Sequence, residues 1–473
     1  MNPAREQMLV ILTPNWRAGA APLRALKADL DACLLSTEGI HFASLALLPP
    51  LPGADSAPSL MFEIVSDEGF RSHHLIELLV RLGFEPLWTL YGVYHDGDAM
   101  ASVAERHVWL CDFLCRHCSN ATGCFVGARD RSVQQIQQEN ELFQQVQRQR
   151  ATLAARARIT PLPGSLASGS GGNSVGHSVS NSVGNSVSNL ISAESLAREL
   201  ARWRVCQRQF DWAAQPALQS YWPARAASKK KSSFIVAVFK LLIGAVLAAP
   251  LAQWRRFERW QNRVDPVEVP RAQQVHDSID ACEAEQVAGT AHMISLTEIR
   301  APYQWNAFWL TLVLRLIALL GRVFATQGRL GNAPGIKFGH WHIIDGNRRL
   351  LFCSNYDGSF GGYLDDFINH VPRGLNLVWR WTELRPRLAA ASGQPDVAIA
   401  RAFPPTRFGI WAGVKYEQWF KSYARDSMVP HVYRFQAYRL TLADIERATR
   451  LRNALAAPRN ESSDDQVLRA IES

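Results

Sequence analysis

The chain contains one strand–turn–strand block twice, and this repetition constrains the fold more than any other feature. Residues 39–42 (GIHF) match residues 335–338 (GIKF), and residues 60–62 (LMF) match residues 350–352 (LLF). An acidic turn and then a Phe follow the second strand of each copy. Because the matching blocks occur in the same order, the sequence predicts an internal duplication.

A third pair of matching blocks extends the duplication into a helix. Residues 127–142 (GARDRSVQQIQQENEL) align with residues 436–451 (QAYRLTLADIERATRL). In both copies the predicted order is strand, helix, strand, strand, helix, strand, helix, which is the ferredoxin-like order with an added helix. Two such units can bury their apolar sheet faces against each other. The expected fold class is α+β, with two ferredoxin-like repeats paired as an intramolecular dimeric α/β barrel.

The second copy of the block predicts a hairpin that leads into a helix. Residues 336–344 are rich in β-forming side chains, and Asp-Gly-Asn at 345–347 tolerates the positive φ angles of a tight turn. Residues 349–355 predict the returning strand, and residues 363–368 open an amphipathic helix. Asp357 or Ser359 can cap that helix.

Changes in composition divide the chain into five segments. These are the first repeat with its C-terminal helix (1–158), a disordered Gly/Ser/Asn linker (159–193), a basic and apolar membrane-associating segment (194–270), the second repeat (271–458) and a flexible tail (459–473).

The apolar run 232–252 (SSFIVAVFKLLIGAVLAAPLA) predicts contact with lipid. It approaches the length of about 20 residues that spans a bilayer, and Lys and Arg clusters flank it on both sides. A buried globular helix is the alternative. The residues predicted to contact the membrane are Phe234, Phe239, Leu242, Trp254 and Arg255.

The charge distribution predicts where the protein resides. The net charge of +9 suits an anionic membrane surface, and positive clusters at both ends of the 232–252 run favour keeping both ends cytoplasmic. If the two repeats are paired, that run lies in the interface or is re-entrant. We expect a protein on the cytoplasmic face of the inner membrane. No helix-turn-helix or aromatic-basic sheet motif accompanies the charge, so no nucleic-acid partner is expected.

The cysteines offer one weak metal-binding pattern. Cys111, Cys115 and Cys118 follow His107 at steps of four, four and three, so they share one stripe of a predicted helix. Thiolates and imidazoles are ligands for zinc, but free cysteines on such a stripe more commonly pack as small apolar residues. Core packing is the favoured interpretation, and no metal site is predicted.

Three further residues suggest chemistry without completing a motif. His340 and His342 flank Trp341, so the two imidazoles point to one face of a strand and the indole to the other. Asp357 lies at the exit of the next strand, where a carboxylate can do acid–base work or cap a helix. No complete catalytic motif is present, so any reaction stays unassigned.

At residues 40–42 (IHF) and 354–359 (SNYDGS) the chain resembles a family of uncharacterised bacterial membrane-associated proteins. The halves of those proteins are similar to dimeric α/β barrel, ferredoxin-like domains. Lys337 departs from the His expected in the second copy. At the level of fold alone, the chain is also similar to dye-decolorising peroxidases, which hold haem and carry a Gly-x-x-Asp-Gly signature; Ser354 stands in place of the first Gly.

Together these features predict a membrane-attached binding or accessory protein. A lipid or other apolar ligand between the two sheets is the favoured cargo, with His41, Trp341 and Asn355 as candidate contacts. The alternative, implied by the peroxidase resemblance, is a haem-dependent oxidoreductase. Its candidate catalytic residues are Asp357, Arg348, His340 and His342.

Overall fold

The computed structural model describes most of both predicted repeats. The described residues are 7–51, 56–67, 69–95, 102–127, 131–159, 208–214, 273–284, 290–324, 335–370, 372–384, 401–402 and 417–456, with single positions at 466 and 469. The 232–252 run and the linker 160–193 lie outside the described residues, as do Phe234, Phe239, Leu242, Trp254 and Arg255.

The described chain is α+β and divides into two compact units. One unit comprises residues 1–133 and 220–442, and the other comprises 134–219 and 443–473. The strands are β1 Met8–Thr13, β2 Ile40–Leu48, β3 Ser59–Ser66, β4 Cys118–Asn120, β5 Gly123–Val126, β6 Ala291–Ile299, β7 Ile336–Ile344, β8 Arg349–Tyr356, β9 Thr382–Leu384, β10 Arg401–Ala402 and β11 His431–Gln436. The helices are α1 Ala21–Ala25, α2 Lys27–Ser36, α3 Ser72–Leu82, α4 Phe84–Tyr91, α5 Val103–His117, α6 Val133–Ile159, α7 Gln273–Ala284, α8 Tyr303–Phe324, α9 Phe360–His370, α10 Pro372–Trp379, α11 Glu417–Asp426 and α12 Leu442–Ala456.

The first unit contains two antiparallel sheets that exchange strands. Sheet A has the order β11-β2-β3-β1-β4, and sheet B has the order β10-β9-β6-β8-β7-β5. In sheet A, Phe435 of β11 pairs with Ala43 of β2, and in sheet B, Phe125 of β5 pairs with Gly339 of β7. The last strand of each predicted repeat therefore completes the sheet of the other repeat.

The inner faces of the two sheets pack against each other, and their outer faces are covered by helices. Alternation along β3 sends Met61 into an apolar cluster shared with Leu351 of β8, while Phe62 faces the helices of its own half. The inter-sheet cluster consists of Val10, Ala46, Leu48, Met61, Ile294, Leu296, Ile344, Leu351, Cys353 and Val429. Residues of both sheets thus share one apolar cluster.

The hairpin predicted at 336–355 forms, with strands at Ile336–Ile344 and Arg349–Tyr356. Asp345, Gly346 and Asn347 all have positive φ angles, of 52°, 61° and 71°, in the turn between β7 and β8. Ser359 Oγ accepts a hydrogen bond from the backbone N–H of Gly362 at 3.2 Å and so caps α9.

The two halves repeat one contact in detail, which is compatible with the predicted duplication. His41 Nε2 lies 2.9 Å from Asp67, which accepts a hydrogen bond from the backbone N–H of Val133, the first residue of α6. In the second half, Lys337 Nζ lies 2.7 Å from Asp357. Asp357 accepts a 2.7 Å hydrogen bond from the backbone N–H of Leu442, the first residue of α12.

The second unit has a small core of its own. Leu142 and Val146 of α6 pack with Phe210 and with Leu451 of α12. Glu139 is buried in this unit, where its carboxylate lies 2.9 Å from Arg452 Nη1. The pairing gives the buried charge a partner, which burial of a carboxylate requires.

Candidate functional site

A buried layer of polar side chains lies between the two sheets, and Glu63 of β3 is at its centre. Ser44 Oγ donates a hydrogen bond to Glu63 Oε2 at 2.6 Å. His292 Nε2 of β6 lies 2.7 Å from the same oxygen, and His340 Nε2 of β7 lies 2.9 Å from Oε1. A carboxylate of sheet A is thus held by two imidazoles of sheet B.

The alternation of β7 places its histidines in this layer. His340 and His342 point between the sheets, and His340 Nδ1 lies 2.9 Å from His342 Nε2. Trp341 points to the outer face, where its ring stacks on Phe352 at 4.9 Å. Trp341 therefore belongs to the core beneath the helices and not to the inter-sheet layer, where a ligand was expected.

The electrostatics of the layer favour an ionised Glu63. Burial alone would raise the pKa of this carboxyl group. The charge of His292 and the hydrogen bonds from His292 and His340 outweigh burial and hold the pKa well below its usual range. Burial, together with the charges of His292 and Arg434, lowers the pKa of His431 to about 3. The anion at the centre is thus surrounded by nitrogen donors.

Cys353 of β8 brings sulfur to the same layer. It pairs directly across the ladder with His340, so both side chains point inward. The ligand atoms of Glu63, His340 and Cys353 lie within 4.8 Å of one another. Burial and the charge of Glu63 raise the pKa of the Cys353 thiol well above its usual value.

Of the ligand-binding residues predicted from the sequence, Asn355 lies in this layer and His41 does not contact Glu63. Asn355 pairs with His292 across the β6–β8 ladder, and among the described residues neither amide atom of Asn355 has a hydrogen-bond partner. His41 of β2 is buried, with Nδ1 2.8 Å from the Tyr438 hydroxyl oxygen and Nε2 2.9 Å from an Asp67 carboxylate oxygen.

The structure does not bring together the residues expected of a peroxidase site. Asp357 lies at the far end of β8 in an ion pair with Lys337. Arg348 is exposed in the β7–β8 turn, with its guanidinium 5.2 Å from the centre of the Tyr303 ring. His340 lies near the middle of β7, so the strand itself separates it from both.

The cysteines of the predicted stripe belong to the core beneath sheet A. Cys111, Cys115 and Cys118 pack against an apolar cluster that includes Leu79 and Leu114. His73 Nδ1 lies 3.3 Å from Cys115 Sγ, and burial raises the pKa of all three thiols.

An apolar cavity of about 30 Å³ lies on the outer face of sheet B, beneath α9, α10 and α11. Its lining includes Met293, Phe352, Phe367, Trp379 and Phe420. The volume admits about one or two water molecules and is far too small for a lipid chain.

Helix α8 presents an apolar stripe to the surface. Trp305, Phe308, Leu312 and Leu319 are between 46% and 60% exposed, while Leu310 and Leu314 on the opposite side are fully buried. Residues 303–321 are long and apolar enough to cross a membrane by length and composition, but 28% of that stretch is buried within the protein.

Comparison of the chain with protein-family models, with curated proteins and with solved structures finds no match in any of the three.

Sequence reasoning missed the centre of the inter-sheet layer. Glu63, Ser44, His292 and Cys353 were not predicted as site residues. One signal was available in the sequence. Glu63 lies two residues after Met61 in the apolar strand SLMFEIVS, so both side chains point to the same face of the sheet. An acidic side chain on that face requires buried partners.

Proposed function

We propose that this chain is a membrane-attached binding protein that rests on lipid through α8 and binds its ligand between two paired sheets. The observation that carries the proposal is the exposed apolar stripe of α8. A contiguous apolar stripe on one helix is characteristic of an interaction surface, whereas scattered apolar residues are ordinary. In this proposal each half is a ferredoxin-like repeat, and the pair forms an intramolecular dimeric α/β barrel.

The composition of α8 favours lipid as the occupant of its stripe. The sequence of the helix contains no Asp or Glu, and Arg315 is the charged residue that interrupts the stripe. Arginine on a lipid-facing helix can extend its guanidinium toward anionic headgroups while its methylenes remain among acyl chains. Trp305 at the N-terminal end of the stripe suits the headgroup region.

A surface position fits α8 better than a transmembrane one. Leu310 and Leu314 pack into the core against sheet B, so one side of the helix is already covered by protein. A Cβ at Gly123 of β5 would lie 2.7 Å from the carbonyl oxygen of Leu314, so helix and strand are in close contact. We therefore propose that α8 lies in the plane of the cytoplasmic surface of the inner membrane.

The polar character of the inter-sheet layer bears on the ligand. A charged carboxylate, several imidazoles and a thiol suit a small polar or ionic ligand better than the apolar ligand first expected. Haem is the second possibility carried over from the sequence, and its absorption spectrum would identify it. The separation of Asp357 and Arg348 from His340 gives that alternative no support beyond the buried imidazoles.

Photo-crosslinking tests the membrane contact directly. The full chain is prepared with p-benzoyl-phenylalanine in place of Leu312 and bound to vesicles of phosphatidylglycerol and phosphatidylethanolamine. We expect crosslinks to lipid. Val108 on α5 is 72% exposed, and the same replacement there is the matched control that should not label lipid.

Two other crosslinked products would show that something other than lipid covers the apolar stripe of α8. Crosslinks from position 312 to the protein's own 232–252 run would mean that this run covers α8. A crosslinked dimer would mean that a second copy does. Either result would contradict the lipid proposal.

A further inference from the structure

Three buried side chains from both sheets converge in the inter-sheet layer with the chemistry of a metal site. Glu63 is 1% exposed, and His340 and Cys353 are not exposed at all. Their carboxylate oxygen, imidazole nitrogen and sulfur lie within 4.8 Å of one another. We propose that Glu63, His340 and Cys353 bind a divalent transition metal ion of the zinc class. The inference deepens the binding part of the proposed function and is independent of the membrane part.

The donor set matches this class of ion. Zinc is bound by Cys sulfur at about 2.3 Å and by His nitrogen or carboxylate oxygen at about 2.0–2.2 Å. Bonds of that length in a tetrahedral site separate the ligand atoms by about 3.3–3.7 Å. The ligand atoms lie within 4.8 Å of one another, so side-chain movements of about 1 Å would bring them to those separations. Hard ions such as Mg²⁺ prefer all-oxygen sites and do not fit a thiol and an imidazole.

Neighbouring residues hold the ligands in place, as they do in metal sites generally. Ser44 Oγ donates to Glu63, and His342 Nε2 lies 2.9 Å from Nδ1 of His340. Such contacts fix the orientation of a carboxylate and the tautomer of an imidazole. Two of the ligands, Glu63 and His340, are therefore pre-oriented by neighbouring side chains.

A divalent ion would bind Cys353 as a thiolate. A bound ion would stabilise the thiolate, and the Cys353 proton would leave to solvent. The ion's two positive charges then balance one carboxylate and one thiolate. Uptake of the ion consequently releases protons and weakens as the pH falls.

Burial determines how the site can be loaded. With exposures of 0–1%, the three ligands are reached during folding or through transient separation of the sheets. The experiment therefore supplies the ion during folding. The full chain is produced in zinc-supplemented cells, purified in mild detergent and analysed for metal, and a second sample is refolded under reducing conditions with Co²⁺.

The expected result is about one metal ion per chain and, for cobalt, the near-ultraviolet charge-transfer band of a cobalt–thiolate bond. Cys353→Ser should abolish the band. Cys33→Ser is the matched control, because Cys33 is also a buried thiol but belongs to the core beneath sheet A. That variant should keep the band. Ser44→Ala, which removes only the contact to Glu63, should lower zinc affinity about 10- to 100-fold.

Two results would overturn the proposal. One is a folded chain that retains no stoichiometric zinc and shows no cobalt–thiolate band. The other is a band that survives Cys353→Ser and disappears when Cys111, Cys115 and Cys118 are replaced. Far-ultraviolet circular dichroism of each variant separates loss of metal from loss of fold. Lipid crosslinking from position 312 in a folded chain that binds no metal would leave the membrane proposal standing, so the two proposals can fail separately.

Discussion

In each half, an Asp that caps a helix also pairs with a buried basic side chain. The half with His41 can therefore serve as an internal control for the cost of breaking the pair that contains Lys337. Lys337 is fully buried and pairs with Asp357, whereas in the other half His41 pairs with Asp67. Replacing either Asp with Asn removes the negative charge but keeps an oxygen that can accept the backbone N–H of the capped helix. The two substitutions therefore differ mainly in the cation left behind.

The expected magnitudes follow from the chemistry of the two cations. In Asp357→Asn, Lys337 must stay charged in a buried site or lose its proton. Shifting a lysine from its ordinary pKa to neutrality at pH 7 costs about 4–5 kcal/mol, and breaking buried ion pairs typically costs about 3–5 kcal/mol. In Asp67→Asn, the residue left behind is an imidazole and not an ammonium group, so the expected loss is that of one charged hydrogen bond, about 1–2 kcal/mol.

Urea denaturation followed by far-ultraviolet circular dichroism at pH 7 measures both free energies of unfolding. We expect Asp357→Asn to lose about 2–3 kcal/mol more than Asp67→Asn. The loss in Asp357→Asn should shrink as the pH rises toward 10, where a neutral lysine is less costly. Adding Lys337→Met should restore part of the stability. Equal losses in the two Asp variants, with no dependence on pH, would mean that the buried charge of Lys337 does not set the difference.

Three other perturbations have defined outcomes. Gly39→Ala should lower the melting temperature more than Gly346→Ala. Both glycines have positive φ, which costs about 1–2 kcal/mol for a residue with a Cβ. At Gly39 the added Cβ would also lie 2.8 Å from a carboxylate oxygen of Asp67, whereas at Gly346 it would meet nothing within 4 Å. Equal melting temperatures of the two variants would contradict this prediction. The pKa of His431 is lowered to about 3 in the folded chain, so the unfolded chain takes up a proton at this imidazole more readily. The free energy of unfolding should therefore decrease as the pH is lowered from about 6.5 to about 3. His431→Gln should make that fall shallower, and an unchanged urea-midpoint profile would contradict it. Residues 1–157 alone should aggregate or dimerise, because β2 would lack its partner β11 and the inner face of sheet A would be exposed; a monomeric, cooperatively melting fragment on gel filtration and calorimetry would show otherwise.

Local pattern was sufficient to predict the longer strands and the β7–β8 hairpin. The turn at 345–347 formed as expected because its residues tolerate positive φ. The inward direction of His340 and His342 followed from the alternation of a strand. These features depend on residues close in sequence, where the period of side chains and the chemistry of turns decide the outcome.

The exchange of β5 and β11 and the convergence on Glu63 could not be predicted in this way. The sequence of a strand such as β11 does not indicate which sheet edge the strand joins, because the ladder hydrogen bonds come from the backbone. Glu63 meets His292 and His340 over separations of 229 and 277 residues. A single sequence gives the direction of each side chain from its strand but not the identity of its partner across the sheets.

Zinc X-ray absorption spectroscopy of the full chain tests the central claim, that Glu63, His340 and Cys353 form an inter-sheet metal site, most directly. Zinc bound by these three residues should show one sulfur scatterer at about 2.3 Å together with nitrogen or oxygen scatterers at about 2.0–2.2 Å. The sulfur contribution should vanish in Cys353→Ser and persist in Cys33→Ser. A spectrum with only nitrogen and oxygen scatterers in the unaltered chain, or with several sulfurs, would contradict it.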